Sequence, residues 1–201
     1  EFRRVLFRSI DLDRLNISVM SVDGVGFSTY IKILNAMNIK WILRTDNDIV
    51  KIPNKEVCRY AGIERGFSYL DLQNIDPDDK LVIEQNKHFI HTIADKEHIP
   101  ANVSSAASSL IAILEKYNIL IAQQGLEEDL YNSPINQNLK EHYGNELTAD
   151  QIICKMKEHK AVNMYEFLKK HKACLTSLEK DRISLPIQKA KEYIESMYGA
   201  Y

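Results

Sequence analysis

Cysteine is scarce in this chain: Cys58, Cys154 and Cys174 are the three it has in 201 residues, and none forms a C-x-x-C pair. Three thiols cannot all pair with one another, so the pattern reads as reduced thiols in a cytoplasmic protein rather than a disulfide framework or a zinc knuckle. Glycine (7) and proline (5) are too few for a collagen-like repeat or a low-complexity linker. No apolar run approaches the roughly 18 residues of a membrane-spanning helix. Positive charge is not in excess either: 26 basic residues face 28 acidic ones, for a net charge of -2. There is thus no global basic field, and a nucleic-acid partner would need bound cations or a local basic patch.

What is present is ordinary globular material. Hydrophobic residues make up 45% and charged residues 27%, which is too apolar for a disordered tail and sufficient for a full core. The first eight residues, Glu-Phe-Arg-Arg-Val-Leu-Phe-Arg, stand apart, with three arginines, no initiating methionine and no small-residue cleavage site. Residues 1–9 are therefore expected to be a non-native or ragged end.

Further on, residues 15–24 form a short β-rich run closed by glycine, which predicts a buried strand. Phe27, Tyr30, Ile31, Leu34 and Met37 then recur at helical spacing, with Ser28 near the start. Trp41-Ile-Leu-Arg-Thr-Asp46-Asn-Asp48 predicts a second strand, parallel to the first, whose acidic end runs toward Pro53. Ligands of open α/β sheets sit at such carboxyl ends. Residues 56–71 look helical despite Gly62 and Gly66, and a polar helix is expected from Asp78 to about Lys96. A better helix, capped by Ser104 or Ser105, should run through Tyr117 with Leu110, Ile111 and Leu114 inward. Ile119–Ala122 predicts a third strand. The remainder reads as helical, with capping boxes at Thr148-x-x-Gln151 and Asn163-x-x-Glu166 and Pro186 in the first turn of a last helix. The expected architecture is α/β: a parallel-sheet core over 10–147 with a helical insert at about 56–117, then a helical region over 148–201.

Three groups of residues could carry chemistry. Asp46 and Asp48 are two apart at a strand end, so both carboxylates can face one way, and a divalent cation relieves the repulsion between them. Asp-Asn-Asp is also ordinary turn chemistry, and D-x-D occurs in sugar transferases and phosphatases as well. The Ile49 and Val50 that follow fit neither of those enzyme forms. Glu127, Glu128 and Asp129 follow another strand and could reach the same edge, or could simply complement a helix dipole. Lys160 could stabilise charge on a pentavalent phosphate, or be a solvated loop lysine. Gly24 and Gly26 leave amides at a helix start open to a phosphate oxygen, although a tight turn explains them equally well.

Residues 16–48, with Ser-Val-Asp-Gly-Val-Gly-Phe before the helix and Trp-Ile-Leu-Arg-Thr-Asp-Asn-Asp after it, resemble the middle of a Toprim domain. The likeness is to the OLD (overcoming lysogenization defect) ATP-dependent endonucleases, Gabija-type phage-defence nucleases included. Their D-x-D is matched by Asp46 and Asp48, and their D-L-E-x-D-L-like element by Gly125-Leu-Glu127-Glu128-Asp129-Leu130, with glycine where the first aspartate would stand. Their late lysine is matched by Lys160 in K-A-V-N-M. The resemblance implies a Toprim-like sheet and hydrolysis of DNA phosphodiesters with Mg²⁺ or Mn²⁺. Asp46, Asp48, Glu127 and Asp129 would serve the metal, and Glu127 and Lys160 the catalysis.

The family's E-G-x-x-E glutamate and its ATPase motifs have no counterpart in the chain. A truncated C-terminal nuclease piece is therefore expected, with ATP acting only through an absent upstream domain. The first sheet strand would then be missing too. Its open edge invites pairing with a second copy, and an inactive fragment or interaction module is the alternative.

Overall fold

The computed structural model describes residues 12–22, 26–70 and 74–199. The chain divides into two compact units, one of Val22–Gly125 and one assembled from Glu1–Ser21 with Leu126–Tyr201.

In the first unit, β1 (Leu43–Thr45) pairs in parallel with β4 (Ile119–Ile121), with Leu43 opposite Ile119 and Thr45 opposite Ile121. All three β4 residues are buried, as a strand covered on both faces requires. β2 (Ile49–Lys51) and β3 (Cys58–Tyr60) form a separate antiparallel pair. Their connection turns back where Asn54 takes a left-handed φ of 61°. Four helices surround these strands: α1 (Phe27–Ala36), α2 (Ala61–Tyr69), α3 (Pro77–Asn86) and α4 (Ala101–Lys116). Ile63, Ile90, Ile93, Leu110, Leu114 and Ile119 form the centre of their core. A polar cluster ties α3 to the end of α4. Lys116 Nζ lies 2.6 Å from Asp79 Oδ1, while the Tyr117 hydroxyl donates to Asp79 Oδ2 and accepts from Asp76 N. The hydrogen bond from Lys116 holds the Asp79 carboxyl below its ordinary range.

The second unit is helical: α5 (Leu126–Tyr131), α6 (Asn136–Tyr143), α7 (Ala149–Lys157), α8 (Lys160–His171) and α9 (Leu185–Tyr198). 3₁₀ turns at Lys172–Leu178 and Arg182–Ser184 link the last two. Leu130, Leu139, Ile152, Met156, Phe167, Leu175 and Leu178 fill its core.

The fold is thus mixed α/β and mostly helical, with two small sheets where a single parallel sheet was expected. Residues 17–22 join no strand ladder, so the parallel partner of β1 is β4. In α1 only Ile31 is buried; Tyr30, Ile33 and Met37 are exposed. Residues 58–60 are a strand because Cys58–Tyr60 pairs with Ile49–Lys51, and the helix begins only at Ala61. The 78–96 helix stops at Asn86, and a 3₁₀ turn at Phe89–His91 follows.

Helix starts were harder to place. α4 starts at Ala101 behind Pro100, so Ser104 and Ser105 lie inside it, where their carbonyls accept from the Ser108 and Ser109 hydroxyls. The capping box at Thr148 is present in full, and Pro186 opens α9. Asn163 is not an N-cap: α8 has already begun at Lys160, and the Asn163 side chain donates instead to the carbonyls of Lys155 and Glu158 at the end of α7.

Candidate functional site

β1 stops at Thr45, but its alternation does not. Leu43, Thr45 and Asn47 are buried, Arg44 and Asp46 are half-buried, and Asp48 is exposed. Past the end of this parallel strand, the two aspartates thus flank a buried residue and are each more exposed than it is. Asn47, at 2% exposure, is driven inward between them.

The turn rests against the start of α2. Asp48 O accepts from Ala61 N at 2.9 Å, and Asn47 Oδ1 accepts from Ile63 N at 3.3 Å. Two amides at the helix start, which have no partner within the helix, are satisfied from a turn far back in sequence. Arg65 Nη2 donates to Asp46 O at 2.9 Å, and Asn47 N donates to Gln124 O just beyond β4 at 2.7 Å. Gly62 is required for this approach: a Cβ there would lie 2.2 Å from Asp46 O and 2.7 Å from Asn47 Cα. Sequence reasoning passed over Asn47 and Arg65. The signal available was Gly62 itself, since a glycine inside a helical pattern marks close packing.

Of the glycines at the helix start, Gly24 lies outside the described residues. Gly26 precedes α1 with φ −73°, and a Cβ there would meet only Val22 Cγ1 at 3.8 Å. Its conformation does not depend on being glycine.

The other candidates belong to the second unit. Glu127, Glu128 and Asp129 occupy the first turn of α5, where acids complement the helix dipole. Glu127 is 4% exposed. Lys160, the first residue of α8, brings Nζ to 2.6 Å from Glu127 Oε1, an ion pair whose angles are not those of a hydrogen bond. Beside it, Lys157 pairs with Glu128 Oε1. His159 ahead of Lys160 adopts a left-handed φ of 46°, which turns the chain sharply between α7 and α8.

The donor sets suit a hard divalent cation in kind: each unit offers carboxylate oxygens, and Glu127 Oε1 is buried beside the Lys160 ammonium. Within each unit, no three described His, Cys, Asp or Glu side chains converge as a metal-holding group. No described helix is long and apolar enough to cross a membrane.

Comparison with known proteins bears on the family likeness and the fold. Residues 2–48 match the family model described as "overcoming lysogenization defect protein-like, TOPRIM domain", a span that includes the first residues set apart above and ends on Asp48. The fold of the chain is similar to that of the solved "C-terminal region of the Burkholderia pseudomallei OLD protein". The two superpose with a TM-score of 0.50 at 19% identity, over 96% of this chain and 89% of that one. No curated protein matches the sequence.

Proposed function

We propose that this chain is the nuclease portion of an OLD-type ATP-dependent endonuclease and hydrolyses DNA phosphodiester bonds with Mg²⁺ or Mn²⁺. The observation that supports the reading is the position of Asp46 and Asp48, flanking buried Asn47 just beyond the end of β1, where the OLD-like Toprim match also ends. Asp46 and Asp48 hold a cation in the first unit, and Glu127 and Asp129 are the metal-serving carboxylates of the second. A divalent cation bound there supplies charge neutralisation and a water nucleophilic at neutral pH. Glu127 also serves the catalysis directly. Lys160 lends its ammonium to the charge that builds on phosphorus, and the amides around Gly24 and Gly26 receive a phosphate oxygen.

Exposed lysines are available in the second unit at Lys155, Lys169, Lys170 and Lys172, while Lys157 and Lys160 are paired with Glu128 and Glu127. DNA affinity should accordingly fall steeply with salt. In this reading residues 10–147 are the Toprim-like core and 148–201 the helical region. ATP acts through a separate upstream domain, and the parent protein works in the cytoplasm as a homo-oligomer.

The test is nicking of supercoiled plasmid by the 201-residue chain with Mn²⁺, beside its Asp46→Asn variant. Nicking by the native chain that the variant loses is the expected result. Equal cleavage by both refutes the assignment. A second reading, an interaction module without catalysis, is favoured by α1, where Tyr30, Ile33 and Met37 expose an apolar face at i, i+3 and i+7. Light scattering at micromolar concentration separates the two: a self-associating chain that does not nick DNA supports the module.

A further inference from the structure

We propose that Asn47, braced by Arg65, is a positioning residue that sets the Asp46/Asp48 carboxylate pair for its cation. The inference rests on the cation reading above and adds to it the element that holds the carboxylates. The middle residue of an Asp-x-Asp turn is usually free to vary, because it points away from whatever the acids bind. Here it is 2% exposed and spends both backbone and side chain on fixing the turn. Its N–H donates to Gln124 O beyond β4, and its Oδ1 accepts from Ile63 N at the start of α2. The flanking carbonyls are held as well, Asp46 O by Arg65 Nη2 and Asp48 O by Ala61 N. Four hydrogen bonds on three consecutive residues, with Gly62 admitting α2 to close approach, leave the turn little freedom to slide.

The consequence follows from the burial pattern, a buried Asn47 between two more exposed aspartates. With Asn47 held in, the backbone of its two neighbours is held as well. Two carboxylates repel, and without this anchor the turn can relieve that repulsion by rotating one of them away. Held in place, they meet a cation with their backbone already fixed, so less ordering is left for the binding step. Groups behind metal ligands that orient them in this way typically set affinity by 10- to 100-fold.

Asn47 is neutral, so its replacement by leucine leaves the charge of the site unchanged. Arg65 gives a sharper criterion. By charge alone, removing a guanidinium near a cation site tightens cation binding, whereas losing a positioning contact weakens it. The two roles have opposite signs.

The experiment is Mn²⁺ titration of the 201-residue chain by calorimetry, at a temperature where circular dichroism shows each variant folded. Asn47→Leu removes the acceptor while keeping the branched shape of the side chain, and Arg65→Met keeps the aliphatic stem but not the fork. The expected result is an affinity about 10- to 100-fold weaker in both variants. Asp46→Asn should abolish binding. If Asn47→Leu fails to fold, the sign of the Arg65→Met effect decides. Unchanged or tighter binding in Arg65→Met, with binding still lost in Asp46→Asn, overturns the positioning role and leaves the cation reading intact. Mn²⁺ uptake that does not depend on Asp46, or none at all, removes the cation reading and this proposal with it.

Discussion

Replacing Gly62 with alanine sets two effects of opposite sign against each other. Alanine is favoured over glycine within a helix by roughly 0.8–1.0 kcal/mol. Against this, the new Cβ would sit 2.2 Å from Asp46 O and 2.7 Å from Asn47 Cα. Both atoms are backbone, held by the hydrogen bonds of the turn, so relief requires α2 and the turn to separate by about 1 Å. Forcing an extra methyl into a packed site costs typically about 1–3 kcal/mol, and more when backbone must move. The net expectation is a loss of about 1–2 kcal/mol, which lowers a urea midpoint by roughly 1 M. Trp41 is the single tryptophan and lies in the same unit, so its fluorescence reports that unit's unfolding directly. Gly66→Ala is the control, because its Cβ would meet Leu114 Cδ1, a side-chain end that can rotate, at 2.7 Å. It should lose less. A Gly62→Ala midpoint equal to or above that of the native chain would show that the turn does not press on α2 as described, and the argument built on Asn47 would lose its frame.

Two further outcomes are expected from the helical unit. Thr148→Ala removes the side chain that accepts from Gln151 N, and should cost about 1 kcal/mol, read as a lower denaturation midpoint by circular dichroism. His142 in α6 is held below its ordinary pKa of 6.5, first by burial and then by Lys170 and His171, with Glu166 opposing. Its ring meets Phe167 and His171 edge-on, each at 5.5 Å between centroids, and Nδ1 is buried without a partner. The folded state therefore keeps it neutral while the unfolded chain protonates near 6.5. Its contribution is complete above that pH and is lost as pH falls below it. Thermal melts from pH 7.5 down to 5.5 should fall, and less so in His142→Phe; an equal fall in both would refute the assignment.

Local patterns survived into the structure where a few neighbouring residues decide the outcome. Ile119–Ile121 is an apolar run with strand preference, and it is β4. The Thr148 capping box needs only two side chains three residues apart, and Pro186 needs only a fixed φ at a helix start. The spacing of Asp46 and Asp48 is equally local, so the pair was legible as a candidate in the sequence.

Tertiary structure decided the rest. Which strand lies beside β1 depends on a contact between residues more than seventy apart, so β4 took the place that sequence order offered to residues 15–24. Asn163 had the right spacing for a capping box, but α8 began earlier, at Lys160, and turned the same side chain to the Lys155 and Glu158 carbonyls. The two glycines of α2 weakened the case for a helix when read alone. One admits the Asp46–Asn47 backbone and the other the Leu114 side chain, needs that arise only once distant segments meet. Sequence by itself thus determined which residues could carry charge and how they are spaced. Only the tertiary structure determined what holds them still, because the donors and acceptors that fix Asn47 come from residues 16 and 77 positions away in the chain.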